Sequence, residues 1–295
     1  GLGGVGKSTF HAWMITQITK GLLPGLHWGT PMACIICAQE DSWGRTIAPR
    51  LIAADANLDM VYRVDVVEAG EDMRLTLPVD IDALTSEIEA KKVALVSLDP
   101  LMSLISGGID THKDHEVRRA LEPLAKLADS TGCLILGNGH FNKASGTDPM
   151  MRITGSAAFG QVVRAVLAFA IDSDECVMSQ AKNNLGRLDL PSLAYRIEPA
   201  EVTTDQGATE VGRLSFAGEA SRSVSDILGD RTDGDDRTKL EEATEWLSDI
   251  LQKGPTLKKD ILTYARREGI ADRTLDRAAK NLGVVSERDE SEQGM

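Results

Sequence analysis

GLGGVGKST, residues 1–9, is the stretch that decides the fold of this chain. It fits the pattern G-x-x-x-x-G-K-[ST], in which the glycines let backbone N–H groups curl around phosphate oxygens. The lysine of such a loop reaches the outer phosphates of a nucleotide, and the serine hydroxyl binds Mg²⁺. The residues predicted to bind the phosphates are Gly1, Gly3, Gly4, Val5, Gly6, Lys7, Ser8 and Thr9.

A helix is expected directly after this loop, because residues 10–21 place apolar side chains close to helical spacing. A phosphate loop also follows a buried strand, and the helix N-terminus adds positive potential at the phosphates. No strand stands before Gly1. We therefore expect the natural polypeptide to extend upstream and to supply the missing P-loop strand of the sheet.

The composition is that of a soluble globular protein, with 42% hydrophobic and 26% charged residues in 295. The net charge of −13 argues against a protein that coats nucleic acid, although it leaves room for a local basic groove. No signal peptide leads the chain, and no apolar run reaches the roughly 20 residues of a membrane span. We predict a cytoplasmic protein with no membrane partner.

The cysteines lie in apolar runs that resemble strands. Cys34 and Cys37 form a C-x-x-C, but residues three apart on a strand point to opposite faces. We therefore expect buried, reduced thiols and no shared metal ion, consistent with a reducing compartment.

Buried, strand-like runs alternate with amphipathic helical runs along the first part of the chain. Such alternation predicts an α/β fold with a mainly parallel sheet that is covered on both faces. The strands are expected at 32–38, 62–70, 92–101 and 133–140, and the helices at 43–55, 80–92 and 115–132. Residues 157–202 read as a mixture of helix and strand.

The residue composition changes near Phe216, where a polar stretch rich in Gly, Asp and Ser begins. We predict a nucleotide-binding core over 1–216, a linker over 217–238 and a small helical domain over 239–289, with a tail at 290–295. Three helix-sized segments with short turns give the small domain the rhythm of a helix-turn-helix or winged-helix unit. Residues 284–288 are expected to form a final short strand.

Two carboxylates are the candidates for chemistry beside the phosphate loop. Asp99 ends a buried strand, where it would bind the Mg²⁺ ion together with Ser8. Many such enzymes place a glutamate next to this aspartate, but Pro100 stands there instead. Glu40, at the carboxyl end of the preceding strand, is the predicted base that activates water, with helix capping or simple solvation as the alternative. Asp41 beside it could cap the helix that follows.

His140 ends the fourth predicted strand at the same edge of the sheet. A polar group at this place can sense the terminal phosphate and relay its loss to the next loop. A purely structural histidine is the alternative. That loop, 141–156, carries Lys143 and Arg152, which are predicted to contact a DNA backbone. The alternative is an ordinary mobile surface loop.

These motifs, in this order, resemble the RecA-like ATPases, and most of all the RepA-type hexameric helicase branch that is often assigned to the AAA family. The resemblance covers residues 1–202. It implies ATP and Mg²⁺ as cofactors, a homo-oligomer that forms a ring (most simply a hexamer) or a filament, ATP at the subunit interfaces, and single-stranded DNA on the central loops. It also implies a magnesium-dependent hydrolase, with Lys7, Glu40 and His140 as catalytic residues.

Ring helicases of this kind insert a cation from one subunit into the next site, through a K-x-R pair near the end of the core. Lys182 matches the lysine, but Asn184 stands where the arginine is expected. Arg187 or Arg164 is therefore a candidate for the residue that acts in trans. Solvation at the surface is the alternative for each arginine.

The last helical segment carries three basic residues, Arg273, Arg277 and Lys280, with the i, i+4, i+7 spacing of one helix face. Asp272 is expected to cap this helix. A basic face on a helix-turn-helix unit fits duplex DNA, and it also fits docking of a protein partner.

Three functions remain open from the sequence. The first is an ATP-driven motor of DNA replication, related to replicative helicases and acting on single-stranded DNA. The second is a RecA-like recombination or repair ATPase that forms filaments. The third is a DNA-binding regulator for which ATP is a switch.

Overall fold

The computed structural model describes residues 3–68, 71–73, 75–142, 146–153, 158–172, 175–204, 207–252 and 254–285. The chain divides into two compact units, Gly1–Leu228 and Gly229–Met295. Gly1, Lys143, the end of the predicted final strand and the tail at 290–295 lie outside the described residues.

The strands are β1 (Ala33–Ala38), β2 (Val61–Arg63), β3 (Val66–Glu68), β4 (Glu71–Met73), β5 (Val93–Asp99), β6 (Leu134–Gly137), β7 (Ala165–Asp172), β8 (Glu175–Asn183), β9 (Leu193–Thr204) and β10 (Gly207–Glu219). The helices are α1 (Lys7–Thr19), α2 (Ala48–Ala53), α3 (Ile81–Lys91), α4 (Asp114–Thr131), α5 (Ala158–Val162), α6 (Val224–Leu251), α7 (Lys258–Arg267) and α8 (Asp272–Asn281). A π-helical turn, Trp43–Ile47, leads into α2.

A four-stranded parallel sheet with the order β2-β1-β5-β6 forms the centre of unit 1. Its two faces pack into different hydrophobic clusters, because successive side chains of a strand point in opposite directions. Cys34 lies in the cluster that includes α1, and Cys37 lies in the one that includes α3 and α4. Both thiols are free and buried, on opposite faces as predicted.

The prediction of a mainly parallel sheet is incomplete, because unit 1 also contains an antiparallel sheet. Strands β7–β10 form an antiparallel sheet with the order β10-β9-β8-β7. Its longest pairing, between β9 and β10, runs from Thr204 opposite Gly207 to Leu193 opposite Glu219. Antiparallel neighbours need a short turn between them and no helix, so the helix–strand alternation that predicts a parallel sheet gives no signal here.

The predicted second strand, 62–70, is interrupted in the structure. Val61–Arg63 pairs with β1, and Val66–Glu68 pairs instead with Glu71–Met73 in a separate two-stranded ribbon. Tyr62 and Val66, apolar residues of this run, therefore lie in two different short strands.

A helix replaces the irregular linker that the polar composition of 217–238 predicts. β10 continues to Glu219, and α6 then runs without a break from Val224 to Leu251. Ser223 and Asp226 form a reciprocal cap at its start: Asp226 accepts from the Ser223 backbone N–H, and Ser223 Oγ accepts from that of Asp226. This cap and the buried Val224 start a helix that composition does not favour.

Unit 2 contains α7, α8 and the later part of α6 around a small core. Its buried residues are Ala243, Leu247, Ala265, Leu275 and Ala278. In the described part of the chain no helix combines the length and the apolar character that a membrane span requires. Residues 284–285 are not in a strand, so the described residues do not show a wing.

Candidate nucleotide site

The phosphate loop ends at the first residue of α1. Gly4 and Gly6 have φ values of +75° and +83°, the left-handed region that side chains rarely adopt. Gly6 occupies the N-cap position of α1, which places Lys7, Ser8 and the N–H groups of the first turn at the loop. Gly4 and Gly6 therefore have the backbone conformations expected of a glycine-rich phosphate loop.

The antiparallel sheet supports this loop from within unit 1. The Tyr195 hydroxyl donates to the carbonyl of Val5, and both residues are buried in one aromatic cluster. Ile197 of the same strand lies so close to Gly6 that a Cβ there would approach its Cδ1 to 2.7 Å. A side chain at position 6 would therefore require Ile197 to shift, and the φ of +83° disfavours one in any case.

Three polar groups meet where α1, β5 and β6 come together. The Asn138 side-chain amide donates to Asp99 Oδ1 at 2.6 Å and lies 3.5 Å from Ser8 Oγ. Asn138 is buried at 6% exposure, immediately after β6. The predicted metal ligands Ser8 and Asp99, 91 positions apart in sequence, are therefore brought to the same amide.

Glu40 and His140 lie at the same rim of the parallel sheet. Ala38 pairs with Asp99, and Leu98 pairs with Gly137, so the three strands end level with one another. Glu40 follows the first of these strand ends, and its Oε1 accepts a hydrogen bond of 2.6 Å from the Ser103 hydroxyl. His140 follows the third.

The electrostatics of this rim connect the four charged or titratable groups. Burial lowers the pKa of Lys7, and the negative charge of Asp99 opposes this change. Burial and then the charge of Lys7 lower the pKa of His140, while Glu40 and Asp99 act in the other direction. The charges of Lys7, Glu40 and Asp99 thus all act on His140, as expected for groups at the same rim of the parallel sheet.

The oxygen atoms at this rim fit a magnesium ion. Mg²⁺ is held in nucleotide sites by one or two protein oxygens together with phosphate oxygens and water. Ser8 Oγ and Asp99 Oδ1 are oxygens of this kind, and the Asn138 amide holds the carboxylate that would carry the charge. Ser8 and Asp99 are therefore the residues that would hold the ion.

Sequence reasoning missed Asn138, Ser103 and Tyr195. Asn138 did carry a signal, since it is a polar residue that directly follows an apolar strand ending beside Asp99. Ser103 and Tyr195 carried none, because a serine after a strand and a tyrosine within one are common. Their partners, Glu40 and Val5, are 63 and 190 positions away in sequence.

The three candidates for the cation that acts in trans differ in their partners and in their exposure. The Lys182 ammonium donates to the carbonyls of Gly160, Gln161 and Val163 at 2.8–3.2 Å, which uses all three of its N–H donors within the chain. Arg187 is exposed, and Asp189 binds its guanidinium at 2.7 and 2.9 Å.

Arg164 is exposed, immediately before β7. Its guanidinium has no partner among the residues that the structure describes. The two arginines therefore remain accessible at the surface, whereas Lys182 stabilises the C-terminal end of α5.

The loop predicted to grip DNA is described only in part. Arg152 lies with its guanidinium 5.7 Å from the centre of the Phe141 ring, and Nη2 donates to the Asn142 carbonyl at 3.5 Å. Its Nε is buried without a hydrogen-bond partner. Arg152 therefore packs partly against its own loop, and Lys143 lies outside the described residues.

The basic face predicted on α8 is exposed in unit 2. Arg273, Arg277 and Lys280 all face solvent, while Leu275 and Ala278 are buried on the opposite side. Asp272 does not cap the helix as predicted, because the N-cap residue is Ala271. Its carboxylate instead binds the Arg266 guanidinium at 2.8 and 3.3 Å.

Comparison with known families reaches the first half of the chain. Residues 1–146 match the model of an AAA domain, a range that includes every residue of the rim described above. The search of curated proteins returned no match to this chain. The family match and the parallel sheet support a P-loop ATPase, a protein that binds ATP, usually with Mg²⁺, over this part of the chain.

Proposed function

We propose that this protein is an ATP-hydrolysing motor that acts on single-stranded DNA, in the manner of the RepA branch of RecA-like helicases. The observation that carries the ATPase part is the meeting of Ser8, Asp99 and Asn138 beside Lys7 at one end of a parallel sheet. The DNA part rests on the resemblance of the ordered motifs and on exposed arginines. We further propose a homo-oligomer, most simply a hexameric ring, in the cytoplasm.

Each residue of the rim has a distinct task in this proposal. Lys7 and the N–H groups at the start of α1 bind the phosphates, since they lie where the phosphate loop joins the helix N-terminus. Glu40 orients the attacking water and accepts its proton, and the Ser103 hydroxyl holds that carboxylate in place. His140 detects the loss of the terminal phosphate. Bound Mg²⁺ would neutralise charge on the phosphate oxygens.

The test is ATP turnover with and without single-stranded DNA. The wild type is expected to hydrolyse ATP faster when DNA is added. Glu40→Gln should reduce the turnover rate by roughly 100-fold or more, because it removes a general base. Asn138→Ala should also reduce the turnover rate, because the Asp99 carboxylate would lose the amide that holds it in place.

Asp41→Asn is the matched control for the Glu40 variant. Asp41 is the adjacent carboxylate, but its partner is Arg50 at 3.3 Å. This variant should keep most of the activity. Equal activity of Glu40→Gln and the wild type would contradict the role of Glu40, and absence of ATP turnover in the wild type would contradict the motor.

A second function, the nucleotide-switched DNA-binding regulator, is favoured by the exposed basic face of α8. It predicts ATP binding without stimulation by single-stranded DNA, together with affinity for duplex DNA. The filament-forming recombinase predicts DNA-stimulated turnover and open filaments, and electron microscopy separates these from closed rings.

A further inference from the structure

One buried polar contact in unit 1 has no part in the proposed reaction. His11 lies one turn after Lys7 on α1 and is 6% exposed. Its Nδ1 is 2.7 Å from Oγ of Ser97, a residue of β5 that is 2% exposed. A satisfied hydrogen bond in such a dry place strongly favours one arrangement of the helix against the strand.

This contact lies directly behind the nucleotide site. Lys7 and His11 are four residues apart on α1, so their side chains lie on the same face of the helix. Ser97 and Asp99 are two residues apart on β5 and share one face of the strand. The Lys7 ammonium and the Asp99 carboxylate also attract each other. The hydrogen bond and this electrostatic attraction therefore both act between α1 and β5.

The charge state of the ring suits this position. Burial lowers the pKa of His11 to about 4, and the nearby charges of Lys7 and Arg50 add to this effect while Asp99 opposes it. The ring is therefore neutral at pH 7. A neutral imidazole links the elements by a hydrogen bond without adding positive charge beside Lys7.

We propose that His11 is a positioning residue: its hydrogen bond to Ser97 holds α1 against β5 so that Ser8 and Asp99 can bind the same Mg²⁺ ion. Ser8 is the second residue of α1 and Asp99 the last of β5, so a shift between these elements would separate the two oxygens. The inference rests on the proposed ATPase function and adds a residue that the phosphate-loop pattern does not include.

The test measures how Mg²⁺ changes nucleotide affinity in the full chain. The affinity for a fluorescent, non-hydrolysable ATP analogue is measured with Mg²⁺ and with EDTA, for the wild type, His11→Leu, His11→Asn and Ser97→Ala. Mutation of residues that position metal ligands without contacting the metal typically changes metal affinity by roughly 10–100-fold. We expect the gain in affinity from Mg²⁺ to fall by roughly this factor in His11→Leu and Ser97→Ala. The affinity in EDTA should change little.

His11→Asn is the conservative variant, because its amide can still reach Ser97, and it should keep most of the gain. A purely structural role would instead weaken binding equally with Mg²⁺ and with EDTA, and that result would overturn the proposal. So would an unchanged magnesium effect in both His11→Leu and Ser97→Ala.

Ser97→Ala removes a single oxygen atom, so it carries the test if His11→Leu fails to fold. A wild type that does not bind the analogue in either condition would overturn the proposed function together with this inference. A wild type with a normal magnesium effect and unaffected variants would overturn this inference and leave the proposed function standing.

Discussion

Asn138 donates to the Asp99 carboxylate and lies within 3.5 Å of the Ser8 hydroxyl. Its amide therefore joins the helix that carries the phosphate loop to the strand that carries the metal-binding carboxylate. At the scale of single residues, the site consists of such contacts between distant parts of the chain. His11 and Ser97 form a second contact of the same kind, 86 positions apart.

The low pKa of His11 predicts a dependence of stability on pH. Its pKa is about 4 in the folded protein and near 6.5 when the ring is exposed. Between these values the unfolded chain binds the extra proton, so the free energy of unfolding falls as the pH is lowered from 6.5 toward 4. The contribution is at most one proton, or about 1.4 kcal/mol per pH unit.

Urea unfolding at several pH values measures this slope. His11→Asn has no ring to protonate, so the slope should be smaller by up to one proton. His112→Asn, which changes an exposed histidine, should keep the wild-type slope. Equal slopes in the wild type and His11→Asn would show that His11 does not titrate in this way.

At the scale of elements, Lys182 binds the end of α5 and the β8–β9 connection carries Arg187. Lys182→Met removes a charged donor from three carbonyls at the C-terminal end of a helix, where a cation is favourable. Hydrogen bonds to charged groups contribute roughly 1.5–3 kcal/mol, so we expect a lower free energy of unfolding by about this amount.

Arg187→Met should leave the stability of the protein close to that of the wild type. Its side chain is 73% exposed and paired at the surface, so the melting temperature should stay near that of the wild type. If Arg187 acts in trans, ATP turnover should fall in the assembled protein. Thermal unfolding and ATP turnover of both variants measure these effects. A stable Lys182→Met variant that has lost only turnover would instead assign the trans role to Lys182.

At the scale of the whole molecule, the net charge of −13 contrasts with the basic face of α8. Replacing Arg273, Arg277 and Lys280 together with alanine should weaken binding to duplex DNA. Each phosphate contact contributes about 0.9 to the slope of log affinity against log salt. If all three contact phosphates, the slope should fall by roughly 3.

Binding of a fluorescent duplex between 50 and 200 mM salt, the range over which such slopes are resolved, measures this change. Lys258 and Lys259, exposed on the neighbouring helix α7, provide the control when both are changed to alanine. An identical slope in the wild type and the triple variant would favour docking of a protein partner over DNA.

Much of the parallel part of the fold was predictable, because it depends on local patterns. The four parallel strands were expected near their observed positions, and α4 ends at Gly132, whose φ is +70°. The antiparallel sheet and the continuous α6 were not expected. The strands of the antiparallel sheet are only partly buried, so their sequences lack the continuous apolar runs of the parallel strands and do not identify them as strands. The start of α6 depends on the cap formed by Ser223 and Asp226 and on the buried Val224.

Local residue patterns were enough to predict the phosphate loop, the alternation of buried strands with helices, and the place of Asp99 at a strand end. These follow from neighbouring residues, whose spacing sets local conformation. The tertiary structure decided that Asn138 joins Ser8 to Asp99, that Tyr195 supports the loop, and that Lys182 binds α5. Those contacts join residues that are 19 to 190 positions apart, and local spacing contains no information on which distant groups will meet.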